Sequence, residues 1–292
     1  MRPLLTFALL ASSLASPLAA QGAAGRYATV NGLRMYYEVH GAGRPLVLIH
    51  GGGSTIQTSF GRVLPALARR HRVIAVELQS AGRTGDRDAP LTFEQDADDV
   101  DALLRTLGVA GADVFGFSNG ANTAMRLAMR HPERVRRLVL ASGFFQRAGL
   151  DPQLFEGLKQ ASPANMPPFL AEAYRRVAPD PAHLPVMVAK HARRMLDFTD
   201  WSEAELRAMR APALVIGGDR DVVTVAHLAR MAALIPGSEL AIMPGADHGA
   251  YLGEGGSTSC AWCPGAVVSM VERFLAGADG AEAAGRPREE AR

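Results

Sequence analysis

Short, nearly unbroken apolar runs recur along this chain: PLVLIH at 45–50, RVIAVEL at 72–78, ADVFGF at 112–117, VRRLVLAS at 135–142 and APALVIGGD at 211–219. Runs of this kind suit strands buried on both faces of a sheet. Between them lie segments with helical periodicity, one of them Thr55 to Arg70. In TFEQDADDVDALLRTLG, residues Phe93, Ala97, Val100, Leu103, Leu104 and Leu107 form one stripe opposite an acidic face. Gly108 follows where a helix C-terminus favours glycine. Strands alternating with helices give a mostly parallel sheet covered on both sides, because a parallel crossover needs a helix. The predicted fold class is therefore α/β, a mostly parallel central sheet flanked by helices. YATVNGLRMYYEV adds a hairpin in front, with Asn31-Gly32 as its two-residue turn. SELAIMP and PGAVVSMVERFLAG close the pattern, Pro264 standing near a helix start.

The alternation breaks between 143 and 210. That stretch has frequent prolines, amphipathic helical pieces and no strand-like run, and it concentrates side chains such as Phe144, Phe155, Phe169, Met187 and Trp201. It reads as a helical lid inserted over one edge of the sheet, splitting the core into 27–142 and 211–276. Most of its aromatic residues are expected to pack the lid's own interior. Residues 1–20 read as a secretory signal peptide, with Arg2 early, an apolar middle, and small residues around Ala19 and Ala20. The apolar part is short and interrupted beside the roughly 20 residues a membrane span requires. A periplasmic or secreted protein starting near Gln21, with no stable membrane insertion, is the expectation. Residues 277–292, rich in Gly, Ala, Glu and Arg without periodicity, read as a disordered tail. The net charge of +2 gives no case for nucleic-acid binding.

The run ADVFGF leads straight into GFSNG and then into a helical stretch. A G-x-S-x-G match means little in a loop, but between a strand and a helix it places the serine on a sharp turn above the sheet. Glycines at 116 and 120 are then needed because a Cβ would collide with a neighbouring element. Ser118 is the candidate nucleophile, with a helix N-terminus behind it where negative charge would develop. Gly51, Gly52 and Gly53 follow an earlier buried strand, and the N–H groups of Gly52 and Asn119 are the candidate oxyanion hole. A serine hydroxyl needs a base, and the base needs a carboxylate. GGDRD ends a strand in Asp219 and Asp221, and GADHG puts His248 in a loop after the next strand; VRRLVLAS ends without an acid. His40, His71, His131, His183, His191 and His227 read as solvated or helix-end residues.

HGGG, GFSNG, GGDRD and GADHG in this order resemble the α/β-hydrolase superfamily, over about Tyr27 to Ala276. The likeness is to its small capped type, which includes esterases, lactonases, C–C bond hydrolases and cofactor-free haloperoxidase-like enzymes. The resemblance implies Ser118 as nucleophile, His248 as base and Asp221, rather than Asp219, as the acid. Two departures narrow it. The loop after AVEL reads QSAGRTGD where relatives commonly carry Gly-His-Gly, and Asn119 stands where perhydrolase-like members often carry Met. A serine in place of aspartate argues against epoxide hydrolases and haloalkane dehalogenases.

The expected function is an exported serine hydrolase, carboxylesterase-like, cleaving a small ester, thioester or lactone through an acyl-enzyme. The alternatives are C–C bond or amide cleavage (aminopeptidase-like) on the same triad, or a non-catalytic binding protein on this fold. No metal or organic cofactor is implied, and the expected partner is a small-molecule substrate with an apolar portion. Cys260 and Cys263, the only two cysteines, are expected to form a disulfide in an oxidising compartment. A metal site there would need two further ligands, and only His248 stands near in sequence.

Overall fold

The computed structural model describes residues 25–277. The signal peptide expected at 1–20 and the tail beyond Gly277 lie outside the described residues. Eight strands form one sheet: β1 (Arg26–Val30), β2 (Leu33–His40), β3 (Arg44–Ile49), β4 (His71–Val76), β5 (Ala112–Phe117), β6 (Val135–Ala141), β7 (Ala213–Arg220) and β8 (Glu239–Asp247). Their spatial order is β1-β2-β4-β3-β5-β6-β7-β8. β2 runs antiparallel to both its neighbours and every other pair is parallel. The β1–β2 hairpin turns at Asn31 (φ 47°) and Gly32 (φ 78°), the left-handed pair that an Asn-Gly turn supplies.

Among the described residues the α-helices are α1 (Ile56–Phe60), α2 (Leu64–Leu67), α3 (Phe93–Thr106), α4 (Asn119–Arg130), α5 (Pro152–Lys159), α6 (Pro168–Val177), α7 (Leu184–Leu196), α8 (Glu203–Arg207), α9 (Val225–Leu234) and α10 (Cys263–Ala276). Successive residues of one strand serve opposite faces. On β3, Val47 and Ile49 join the core beneath α3, α4 and α9, while Leu46 and Leu48 join the core beneath α1, α2 and α10. The helix expected from Thr55 to Arg70 is two short ones. A Thr55–Thr58 capping box opens α1, Gly61 ends it, and Pro65 lacks the N–H that a continuous helix would need there.

The acidic face that periodicity set opposite the apolar stripe of α3 is itself buried at Asp96, Asp99 and Asp101. Each meets an arginine brought from elsewhere in the chain, Arg194, Arg87 and Arg134 respectively. The helices α5 to α8 do fill the stretch between β6 and β7, but the expectation that its aromatic residues pack the lid's own interior is corrected: Phe144, Phe145, Phe155, Phe198 and Trp201 join the main core. Phe198 and Trp201 pack edge-on against Phe93 of α3, inside the main core. Only a small cluster around Tyr174, Leu184, Met187 and Val188 is the insert's own. The larger apolar surface offers an aromatic ring more area to bury, and it wins.

Candidate active site

Ser118 sits between β5 and α4 with φ 54° and ψ −122°, a conformation that costs a non-glycine residue about 1–3 kcal/mol. The turn is tight because its flanks are bare. A Cβ on Gly116 would lie 2.2 Å from Gly120 O, and one on Gly120 would lie 2.1 Å from Ile49 O at the end of β3. The Ser118 N–H donates to Ala141 O at 2.7 Å, which ties the turn to β6. Its side chain makes no capping bond to α4, so the hydroxyl is free for another partner.

That partner is His248, whose Nε2 lies 3.1 Å from Ser118 Oγ. On its other side, His248 Nδ1 stands 2.7 Å from Asp221 Oδ1. Asp219, two residues earlier, faces away and accepts the Gly245 N–H at 2.6 Å, pinning a turn of β8. Burial pushes the His248 imidazole down, but the charge and hydrogen bond of Asp221, helped by the Glu254 charge, outweigh it and hold it above its ordinary value. Burial pushes the Asp221 carboxyl up, and His248, Ser142 and the Val223 N–H together hold it below the usual carboxylate range. Phe117 packs against the His248 ring with centroids 5.0 Å apart.

The glycine loop after β3 stands opposite. Neither the Gly52 nor the Asn119 N–H donates to any of the described residues, and Asn119 is the first residue of α4. His50 braces this loop, with Nδ1 2.7 Å from Gly51 O while Nε2 accepts the Leu78 N–H at 3.1 Å. Burial pushes its imidazole down to about 4, so it stays neutral in both roles. A cavity of about 190 Å³ opens above Ser118, roofed by Leu154 and Leu158 of α5 and by His191 and Met195 of α7. A larger cleft of about 560 Å³ lies between the loop before α3 and the end of α7, and Ser118 is not part of it. Chemistry, not size, picks the smaller one.

The arrangement of a strained serine, a histidine and a carboxylate under a helical roof is matched by sequence. The model of the α/β-hydrolase family fits residues 46–255. The chain belongs to the α/β-hydrolase family. Among its relatives, the 2-hydroxymuconate semialdehyde hydrolase of Pseudomonas sp. (strain CF600) is 38% identical over 138 residues, 46% of this chain and 47% of that one. The chain spans about half the length of the first curated relatives it matches. A solved serine hydrolase involved in carbazole degradation superposes with a TM-score of 0.71 at 24% identity, covering 87% of this chain and 99% of the other. A solved N-acyl homoserine lactone degrading enzyme gives 0.66 at 25% identity, covering 85% and 100%.

This α/β-hydrolase chain surrounds its serine with groups that sequence reasoning missed. Ser142, at the end of β6 with φ 50°, donates to Asp221 Oδ2 and also meets the buried Tyr251 hydroxyl. Glu254 Oε1 accepts from Ser54 Oγ at 2.9 Å and Ser59 Oγ at 3.3 Å, and Ser59 Oγ in turn accepts the Gly51 N–H. One carboxylate thus links the histidine loop to the glycine loop. Tyr251 and Glu254 sit within six residues of His248, which was the available signal; nothing in sequence joined Ser142 to Asp221. Three histidines read as solvated are buried instead. His71 meets Glu272, His227 Nε2 accepts the Phe145 N–H, and His191 joins Arg194 at the cavity.

The loop QSAGRTGD keeps a tight turn despite its unusual letters, with Ser80 (φ 61°) and Gly82 (φ 52°) left-handed. Buried Glu77 accepts the Arg83 N–H and its guanidinium at 2.5 and 2.9 Å, holding the loop closed. Cys260 and Cys263 are bonded, with Cα atoms 5.3 Å apart, just where α10 begins. Asp101, His131 and Glu133 bring possible metal-ligand atoms within 4.8 Å of one another. There Arg134 already holds Asp101, and Asp98 holds His131, so the cluster is a charge network.

Proposed function

We propose that this protein is a serine hydrolase that cleaves a small ester, thioester or lactone through an acyl-enzyme. The observation that carries the reading is the unbroken contact from Ser118 Oγ through His248 to Asp221, at 3.1 and 2.7 Å. Ser118 Oγ attacks the carbonyl carbon as His248 Nε2 takes its proton, and Asp221 holds the tautomer and balances the imidazolium. The developing oxyanion rests on the free N–H groups of Gly52 and Asn119, aided by the positive end of α4. On collapse, the His248 proton goes to the leaving oxygen or sulfur. Water then gives its proton to His248 and attacks the acyl carbon, and Ser118 Oγ leaves with that proton. General-base assistance contributes about 10²–10⁴-fold.

The mostly apolar cavity supports a small acyl group, and the lactone degradation named for one structural neighbour supports the ester and lactone class. The C–C bond reading on the same triad draws on the 2-hydroxymuconate semialdehyde hydrolase likeness. We also propose that the protein works outside the cytosol, in the periplasm or beyond, and the Cys260–Cys263 bridge supports an oxidising compartment. A fluorophosphonate probe should label the protein on Ser118, and Ser118→Ala should lose both labelling and nearly all ester hydrolysis with its circular dichroism unchanged. A mutant that kept substantial esterase activity would end this reading.

A further inference from the structure

Ser142 holds a backbone conformation that its own side chain does not favour. It follows β6 with φ 50°, a region where residues other than glycine are uncommon. Its N–H donates to Ile216 O on β7 at 2.8 Å, a bond that a glycine would make equally well and without strain. What glycine would lack is the hydroxyl. Ser142 is 1% exposed and Tyr251 0%, and the Asp221 side chain is fully buried as well.

The protons among these three groups can be placed by elimination. Asp221 is held below the usual carboxylate range, so it is ionised and only accepts. Ser142 Oγ has one hydrogen, and it goes to Asp221 Oδ2. The contact between Ser142 Oγ and the Tyr251 hydroxyl then has one polarity left: Tyr251 donates and Ser142 accepts. Burial and then the Asp221 charge push the Tyr251 phenol well up, which keeps its proton in place. Asp221 Oδ1 takes the remaining donors, His248 Nδ1 at 2.7 Å and the Val223 N–H at 3.2 Å. Ser142 is therefore the single donor to Oδ2 among the described residues. Phe117 stands edge-on to the Tyr251 ring at 6.5 Å and also packs on His248, so one side chain spaces both rings. The charges facing these groups are those of Asp221, His248 and Glu254. A donor to a carboxylate offsets part of its charge. Without the Ser142 hydroxyl more of that charge would act on the imidazole, and His248 would hold its proton more tightly.

We propose that Ser142 and Tyr251 are positioning residues, a two-hydroxyl brace that fixes Asp221 Oδ2, offsets part of its charge, and thereby sets the pH at which His248 becomes a base. The brace rests on the reading of His248 as the base for Ser118. The test reads the pH midpoint of kcat/KM for 4-nitrophenyl butanoate. Ser142→Ala and Ser142→Gly should both move it up by about half to one pH unit, although only Ser142→Gly relieves the backbone. Tyr251→Phe, which leaves the Ser142 hydroxyl in place, should move it up by less. Added to Ser142→Gly, Tyr251→Phe should move it no further, because its effect passes through the missing hydroxyl. A midpoint that stayed put or fell in both Ser142 variants would overturn the brace, as would a full further shift in the double variant. So would a change confined to KM, which would put the Ser142 hydroxyl, at the edge of the cavity, on the substrate. Titrating the His248 imidazole by NMR in Ser118→Ala and in Ser118→Ala/Ser142→Gly needs no turnover, and the same upward shift there supports the brace. That shift, beside a wild-type protein that cleaved no ester, would remove the hydrolase reading and leave the brace standing.

Discussion

At the scale of single residues, position in the turn decides which of two neighbouring acids reaches the histidine. Asp219 and Asp221 leave the same strand, yet one pins Gly245 and the other meets His248. Asp221→Asn is expected to lower kcat by about 10⁴-fold, since the orienting carboxylate fixes the tautomer and balances the imidazolium. Asp219→Asn should cost only a few-fold, and steady-state kinetics on one ester ranks the pair. The pH profile follows from the same contacts. On the proposed mechanism His248 acts as a neutral base, and its imidazole is held above its ordinary value, so kcat/KM should rise with pH through a midpoint above 6.5. Asp221 and Glu254 are the charges acting on that ring. Glu254→Gln keeps an acceptor for Ser54 and Ser59 but removes a negative charge, so the midpoint should move to lower pH. A midpoint that stayed put or rose would show that Glu254 carries no charge in the working enzyme.

Among the secondary-structure elements, the end of the histidine loop is anchored by a very small ring. Cys263 opens α10 and Cys260 lies in the turn before it, both buried, with Trp262 exposed between them. Closing a loop of this size stabilises by about 2 kcal/mol on the chain-entropy relation. Reduction or Cys260→Ser/Cys263→Ser should therefore lower the denaturation midpoint modestly and loosen the segment that carries Tyr251 and Glu254. Hydrogen exchange across residues 249–263 measures that loosening, and thiol titration of the denatured, unreduced protein should find no free thiol. The α7 helix illustrates another property of elements. Its His191 and Arg194 stand three apart and so share one face, a spacing visible in sequence, but the partner of that face was not.

Across the whole molecule, the insert is tied to the core by a charge as well as by aromatic packing. Asp96 on α3 and Arg194 on α7 are almost fully buried and paired at 2.7 Å. Burial pushes the Asp96 carboxyl up to about 6 and the Arg194 guanidinium down, each partly offset by the other's charge. Removing one member leaves an uncompensated buried charge, so Arg194→Met should destabilise the fold by about 3–5 kcal/mol. Adding Asp96→Leu should restore much of that loss. Urea unfolding of the single and double variants checks both values.

Sequence by itself determined the strand–helix alternation, the long break in it after β6, the serine turn and the chain order serine, acid, histidine, while the choice of Asp221 over Asp219 rested on the family resemblance. Each of those is local: an apolar run, a glycine two residues away, a turn after a strand. The tertiary structure alone decided the partners. Asp96, Asp99 and Asp101 read only as an acidic face until arginines from three other segments meet them, and His191 looks like one more helix residue until α7 crosses above Ser118. Ser142 could be named as the end of β6 but not as a support for Asp221, because that contact spans 79 residues of chain. Periodicity reports which way a side chain points along its own element. It carries no information about which distant group will be there to meet it.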